Sequence, residues 1–441
     1  MAASVFDSPL HAQLFPTGEA GRLFSDSAAI RAMLLVEGAL AKAQGALGVI
    51  PEVSAAAIHR ASLEVQLDPG ALAQATGQNG VSVPGLVAAF RAEMNAPEHA
   101  QYAHWGATSQ DIMDSGLMLR LRQALTLAES DLRAIITSLG AQAAEHASLP
   151  LVARTYGQHA TPTSWGAVLA EWGAPLIDAV GALETLRASS LWVSLSGAAG
   201  TASALGPKAA ETRAALALGL GLNDPGRTWH TDRTPILRIV DWQGQVMAAL
   251  GHIGQSLIGL TSSDVQEITL GAAGSSSTMP QKQNPVGPSA LLALSNQFVA
   301  MRAGLQSSAI HSYQRDGAAW FTEWMMLPQL CLSLSSALHH TRILADGIAP
   351  RPVRMHANLN ADLGLIHAEA LSFALADIMP RPAAQKAVKA LCGEAMTKRI
   401  PLSDLVAAAY PDLDQGVFDP ANGLGQAVAE AHAFAARASA L

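Results

Sequence analysis

Three polar segments hold most of the side chains that could do acid–base or anion-binding chemistry: HWGATSQD at 104–111, RTYGQHATPTS at 154–164 and GAAGSSSTMPQKQNPVGPS at 271–289. The first supplies His104, Thr108 and Ser109, the second Arg154, Gln158, His159 and Thr161. In the third, three successive serines follow Gly274, and Met279, Lys282 and Asn284 come after them. Gly and Ser there offer backbone N–H groups, Lys282 can neutralise a carboxylate, and the Asn284 amide can anchor the loop or a ligand. On composition alone the same string also reads as a solvated linker with one surface lysine. His104 and His159 can move protons or sit as satisfied structural histidines. Arg315, in YQRDG at 313–317, is a further candidate cation.

Helical spacing dominates the rest of the chain, with no run of alternating strands. The spacing predicts a helix over 28–47, capped by Asp26, with Ile30, Met33, Leu34 and Leu40 on its apolar side. Long helices are predicted over 111–146, 164–188, 234–267, 289–312 and 321–348, with Pro288 at a helix start and Pro328 a kink. The third repeats Ile236, Ile239, Val240, Val246, Leu250, Ile253, Leu257 and Leu260 at steps of three or four, and at ~1.5 Å per residue it runs roughly 50 Å. Helices of that length need a bundle to cover them. The polar segments lie near helix ends, where loops on a rigid scaffold gather site residues.

Of the 441 residues, 14% are charged, 50% hydrophobic and 5% aromatic. An average soluble chain carries about 25% charged residues. Ala, Leu, Val and Gly therefore supply the apolar content, which suits closely packed helices with small residues at their contacts. So large a charge deficit also points to an oligomer. The net charge of −8 and the lack of any Lys/Arg cluster argue against nucleic-acid binding. Two cysteines, Cys331 and Cys392, give neither a disulfide framework nor a metal pattern. The first residues lack a signal peptide's basic and apolar regions, and stretches such as 190–206 are broken by Gly and Ser. No membrane association and a cytoplasmic location are expected. His339-His340 and His367-Ala368-Glu369 lack a third zinc ligand at useful spacing, and no Gly-rich loop follows a predicted strand, so neither metal nor cofactor is expected.

The third segment resembles the signature loop of the fumarase/aspartase superfamily, a Gly-Ser-x-x-Met-x-x-Lys-x-Asn pattern. Aligned on Met279, Lys282 and Asn284, the resemblance places Ser276 at the catalytic serine, with Ser275 where the family has Gly. The first segment resembles the family's Thr-Ser segment, with Asp111 opening the next helix, and the second its Arg-Thr-x-x-Gln segment. The resemblance implies an all-α long-helix bundle of three helical domains, 1–110, 111–350 and 351–441. It also implies a homotetramer whose central bundle is shared between subunits, with each site built from several of them. Such enzymes act on small polycarboxylates through a dianionic aci-carboxylate intermediate, which calls for concentrated donors and positive charge. Ser276 would be the acid/base by resemblance. A free serine is too weak a base, so the role needs desolvation and a nearby cation such as Lys282.

Within the superfamily the chain resembles the bacterial 3-carboxy-cis,cis-muconate cycloisomerases. Tyr156 stands after Arg154-Thr155 where fumarases and adenylosuccinate lyases have His, and Gln158-His159-Ala160-Thr161-Pro162 follows. HWGATSQD, RTWHT at 227–231 and WFTEWMMLP at 320–328 are similar too. That resemblance implies Ser276, His159 and Lys282 as catalytic, and His104, Thr108, Ser109, Gln158, Thr161, Met279, Asn284 and Arg315 as substrate-binding, with Arg154 and Arg233 as further candidate cations. Gln281 and Gln283 flank Lys282 where those enzymes usually have His and Arg, and Asp232 stands where they have Gln. A lost cation and a gained carboxylate favour a less charged substrate. A C–N lyase releasing fumarate and a catalytically silent homologue are the alternatives.

Overall fold

The computed structural model describes residues 4–271, 274, 275, 279 and 282–441. Its architecture is all-α, as expected, with three small two-stranded sheets among the described residues. The main elements are α1 (Asp26–Ala46), α2 (Glu52–Glu64), α3 (Ser109–Glu145), β1 (Pro150–Thr155), β2 (Gln158–Ser164), α4 (Trp165–Gly181), α5 (Thr234–Thr261), α6 (Val286–Leu305), α7 (Gly317–Gly347) and α8 (Pro352–Leu359).

Helix α1 is capped by Ser25 rather than Asp26: the Ser25 hydroxyl accepts from the Ala28 N–H at 3.2 Å. Asp26 sits in the first turn instead, where its charge suits the helix dipole. Helix α5 stops at Thr261, short of the predicted 267, because the apolar repeat ends at Leu260. Ile236, Ile239, Val240, Val246, Leu250, Ile253 and Leu257 are all buried. Helix α7 continues through Pro328.

The segment 150–164, read as a polar loop, forms an antiparallel hairpin. Its two-residue turn, Tyr156-Gly157, has φ of 53° and 73°, the left-handed pair that matches the twist of a tight hairpin. Pairing runs from Pro150↔Ser164 to Val152↔Pro162, then from Arg154↔His159 to Thr155↔Gln158, so β2 holds one extra residue between those registers. Such a bulge re-aims the side chains beyond it.

The chain divides into two compact units. The first comprises residues 1–131, 179–248 and 293–339. In it Leu34 and Leu40 of α1, Ile58 of α2, and Leu86 and Phe90 are almost wholly buried, each contributing about 1.5–3 kcal/mol. The second comprises residues 132–178, 249–292 and 340–441. There a Cβ on Gly166 of α4 would come within 2.5 Å of the Ala143 carbonyl of α3, the close approach that small residues permit. The last helices share their own cluster, including Leu371, Leu375, Val388, Leu402 and Val406. The stretch Trp165–Ser190 is apolar enough by composition to cross a membrane, but 56% of its most apolar window is buried in the fold. Trp165, Leu169, Trp172 and Leu176 point inward there.

Candidate active site

In the first unit, five of the sequence-derived candidates, His104, Thr108, Ser109, Arg233 and Arg315, gather around the start of α3. Thr108 precedes the helix: its N–H donates to Asp111 Oδ2 at 3.0 Å, and the Asp111 N–H returns the bond to the Thr108 carbonyl. This reciprocal cap fixes the entry of Thr108 and Ser109 into the helix. Asp111 does more than cap. Its Oδ1 accepts from the Ser194 hydroxyl, the Ser196 N–H and His230 Nε2, and its Oδ2 also accepts from the Gly197 N–H, all at 2.8–2.9 Å. Burial alone would raise the Asp111 pKa, but these partners, His230 foremost, hold it below the ordinary 3.8.

Arg233, one of the candidate cations, is buried and fully engaged. Its guanidinium makes paired bonds to Asp114 at 2.8 and 3.0 Å and to Glu323 at 2.8 and 2.7 Å. It also stacks 4.9 Å from the Trp229 ring centre. Burial works against its charge, yet the two carboxylates raise its pKa well above the ordinary value. With four of its five N–H donors taken by carboxylates and its side chain wholly buried, this guanidinium is out of a substrate's reach.

His104 lies on the same unit with φ of 63°, and its Nδ1 is 2.6 Å from Oε1 of Glu37, whose side chain is wholly buried. Burial disfavours the imidazolium, but the hydrogen bond and charge of Glu37, joined by Asp111, outweigh it and raise the His104 pKa above 6.5. Sequence reading missed Glu37, although a lone carboxylate in the apolar run of α1 was a usable signal.

Arg315 is held differently. Asp316 caps α7 by accepting from the Ala318 and Ala319 N–H groups at 2.9 and 3.2 Å. This pins the backbone directly after Arg315. The Arg315 Nε donates to Gln110 Oε1 at 2.8 Å, while its buried Nη2 has no hydrogen-bond partner among the described residues.

Asp232 has a local role. It caps α5 by accepting from the Thr234 N–H at 3.0 Å and pairs with Arg227, which lies over Trp192. A carboxylate neutralised in this way is no argument against an anionic substrate.

The second unit holds the other two segments. In the hairpin, Gln158 and His159 are exposed and Thr161 is half-buried. His159 Nδ1 lies 2.8 Å from Oδ2 of Asp362. The two residues line an open cleft of about 330 Å³ with Ala160, Thr161, Leu365, Ile366 and Glu369. Arg154, the hairpin's candidate cation, is committed elsewhere: it forms a two-pronged pair with the buried Glu267 at 2.8 Å per bond. Asn358 of α8 also donates to that carboxylate at 2.8 Å.

In the third segment, Gly274–Ser275 pairs antiparallel with Gln283–Asn284, which draws together the two ends of the loop. Lys282 and Met279 are exposed, and the Lys282 N–H bonds the Met279 carbonyl at 3.0 Å. Ser276 and Gln281 lie outside the described residues.

Comparison with known proteins assigns this helical architecture to a family. A family model described as lyase matches residues 17–299. The chain belongs to the fumarase/aspartase superfamily of lyases. It is 38% identical over 418 residues to a 3-carboxy-cis,cis-muconate cycloisomerase of Pseudomonas aeruginosa, covering 92% of this chain and 91% of the relative. The crystal structure of a 3-carboxy-cis,cis-muconate lactonizing enzyme from Pseudomonas putida superposes with a TM-score of 0.92 at 34% identity, covering 98% of this chain and 99% of that one. A nitrosuccinate lyase of Streptomyces davaonensis is 33% identical over 421 residues, covering 92% of this chain and 88% of the relative.

Proposed function

We propose that the protein is a cycloisomerase that lactonises 3-carboxy-cis,cis-muconate to a carboxymuconolactone in the breakdown of protocatechuate. The observation that carries this reading is the 38% identity to a cycloisomerase across nine-tenths of both chains. In the reaction one substrate carboxylate adds to a conjugated double bond and forms a C–O bond. The electron pair moves to the neighbouring carbon, where a carboxylate holds it as an aci-carboxylate until a proton arrives. Nothing leaves, so product and substrate have the same mass.

The site must then hold three carboxylates and deliver one proton. Arg315, Lys282 and the N-terminus of α3 at Thr108 and Ser109 are suited to the charge. Met279 and Asn284 frame the loop side, and Gln158 and Thr161 offer polar contacts from the hairpin. Ser276 delivers the proton, with Lys282 stabilising the alkoxide left behind, and His159, steadied by Asp362, is the second proton-carrying group. His104 supports the first segment through Glu37. The assembly proposed is a soluble, cytoplasmic homotetramer whose sites draw residues from several subunits.

The test is an ultraviolet assay, because lactonisation shortens the conjugated diene. Wild-type protein is expected to bleach the substrate to a product of unchanged mass, and Ser276→Ala to lose about 10²–10⁴-fold in kcat. Comparison with His159→Asn assigns the proton. An inert wild type sinks the reading. The glutamines at 281 and 283 and the similarity to a nitrosuccinate lyase favour a C–N lyase as the second reading, which fumarate among the products of N-succinyl compounds would establish.

A further inference from the structure

We infer that Gln110 is a positioning residue that sets the enzyme's affinity for its anionic substrate by aiming Arg315. The inference rests on reading Arg315 as a substrate contact.

Gln110 is wholly buried in the first turn of α3. Its side-chain amide has two donors, and both are used. One reaches the His230 carbonyl at 2.8 Å and the other Asp114 Oδ2 at 3.1 Å. Neither acceptor can donate in return, so the amide has one orientation, with Oε1 turned to the Arg315 Nε at 2.8 Å. Both acceptors are themselves fixed. Asp114 is gripped by the Arg233 guanidinium, and His230 by Asp111.

A guanidinium held at Nε and pinned at the backbone by the Asp316 cap cannot swing freely. Its Nη2 is buried, yet has no hydrogen-bond partner among the described residues. A buried donor left unmade is destabilising, and a carboxylate oxygen of a ligand would satisfy it. Gln110 itself need not touch the substrate. It presents Nη2 ready-oriented, which lowers the ordering cost of binding.

The test is Gln110→Met, which keeps the length and apolar bulk but neither donates nor accepts at the amide. The expected result is a KM raised about tenfold with kcat within about twofold of wild type. In an Arg315→Met background the same change should add nothing, because the guanidinium it aims is gone. That non-additivity separates positioning from general destabilisation. Ser115→Ala, which removes two neighbouring buried hydrogen bonds with the Ser194 backbone without touching Arg315, should leave KM unchanged.

Calorimetric binding of citrate, a tricarboxylate that requires no turnover, should weaken alike in Gln110→Met and Arg315→Met, and no further in the double variant. This arm stands even if muconate is not the substrate. Wild-type citrate binding that ignores Arg315, or additive effects of the two substitutions, would overturn the inference. Gln110→Asn, one methylene short of Arg315, is the second variant. If both variants fail to fold, Gln110 belongs to the frame of the unit and the inference is likewise overturned.

Discussion

The start of α3 and the β-hairpin both set arginine and histidine beside carboxylates, and they use these groups in opposite ways. Around α3 the charges are interior. Asp111, Asp114, His230, Arg233 and Glu323 are all buried, and the three carboxylates and the Arg233 guanidinium are matched bond for bond. Beside them a buried donor, Arg315 Nη2, has no hydrogen-bond partner among the described residues. In the hairpin, Arg154 is spent on Glu267, but the His159–Asp362 pair stays at the surface, with 29% and 55% of the side chains exposed. The lesson is that a buried ion pair here is framework, while the groups left to meet a substrate are an unpaired buried donor in one region and a pair that water still reaches in the other.

Removing a buried partner tests this most severely. Arg233→Met leaves two interior carboxylates facing each other without a cation and should cost about 3–5 kcal/mol in chemical denaturation. Adding Asp114→Leu and Glu323→Leu should restore much of that loss, since an apolar triad of similar volume needs no counterion. A single variant as stable as wild type would erase the distinction between the two regions.

His104 gives a smaller, pH-dependent effect. Its pKa is raised above 6.5 in the folded protein. The stability it contributes is therefore fully present below about pH 6.5 and lost as the pH rises through the folded value. His104→Gln should cost about 1 kcal/mol at pH 6, and the gap to wild type should close towards pH 9. Denaturation midpoints across that range measure it, and a gap that widens with pH would refute the assignment.

The smallest stability effect belongs to the surface pair. Asp362→Ala should change stability by less than about 0.5 kcal/mol while lowering activity through His159. Stability loss without activity loss would reverse the contrast.

Much of the fold was legible because it rests on periodicity. The row from Ile236 to Leu260 predicted α5, and all of its apolar residues but the last, half-buried Leu260, are buried. The hairpin was not legible, since only Leu151 and Val152 of β1 are buried and the exposed, polar run from Thr155 to His159 hides the alternation. The three polar segments were legible as places of interest. Which of their cations were available was not, because that depends on partners far away in sequence. Glu267 lies 113 residues from Arg154, and Asp114 lies 119 from Arg233. No local pattern predicts such pairings. Gln110 was passed over between Ser109 and Asp111 for the same reason: its meaning comes from Arg315, 205 residues on.

The reach of Asp111 has a consequence for how the chain folds. One carboxylate ties together segments 83, 85, 86 and 119 residues distant. Closing loops of that length loses entropy before any bond rewards it. The local helices are therefore expected to form first and this clasp late, so that its bonds brake unfolding far more than they speed folding. Until it shuts, the corner from which Arg315 projects has no settled shape.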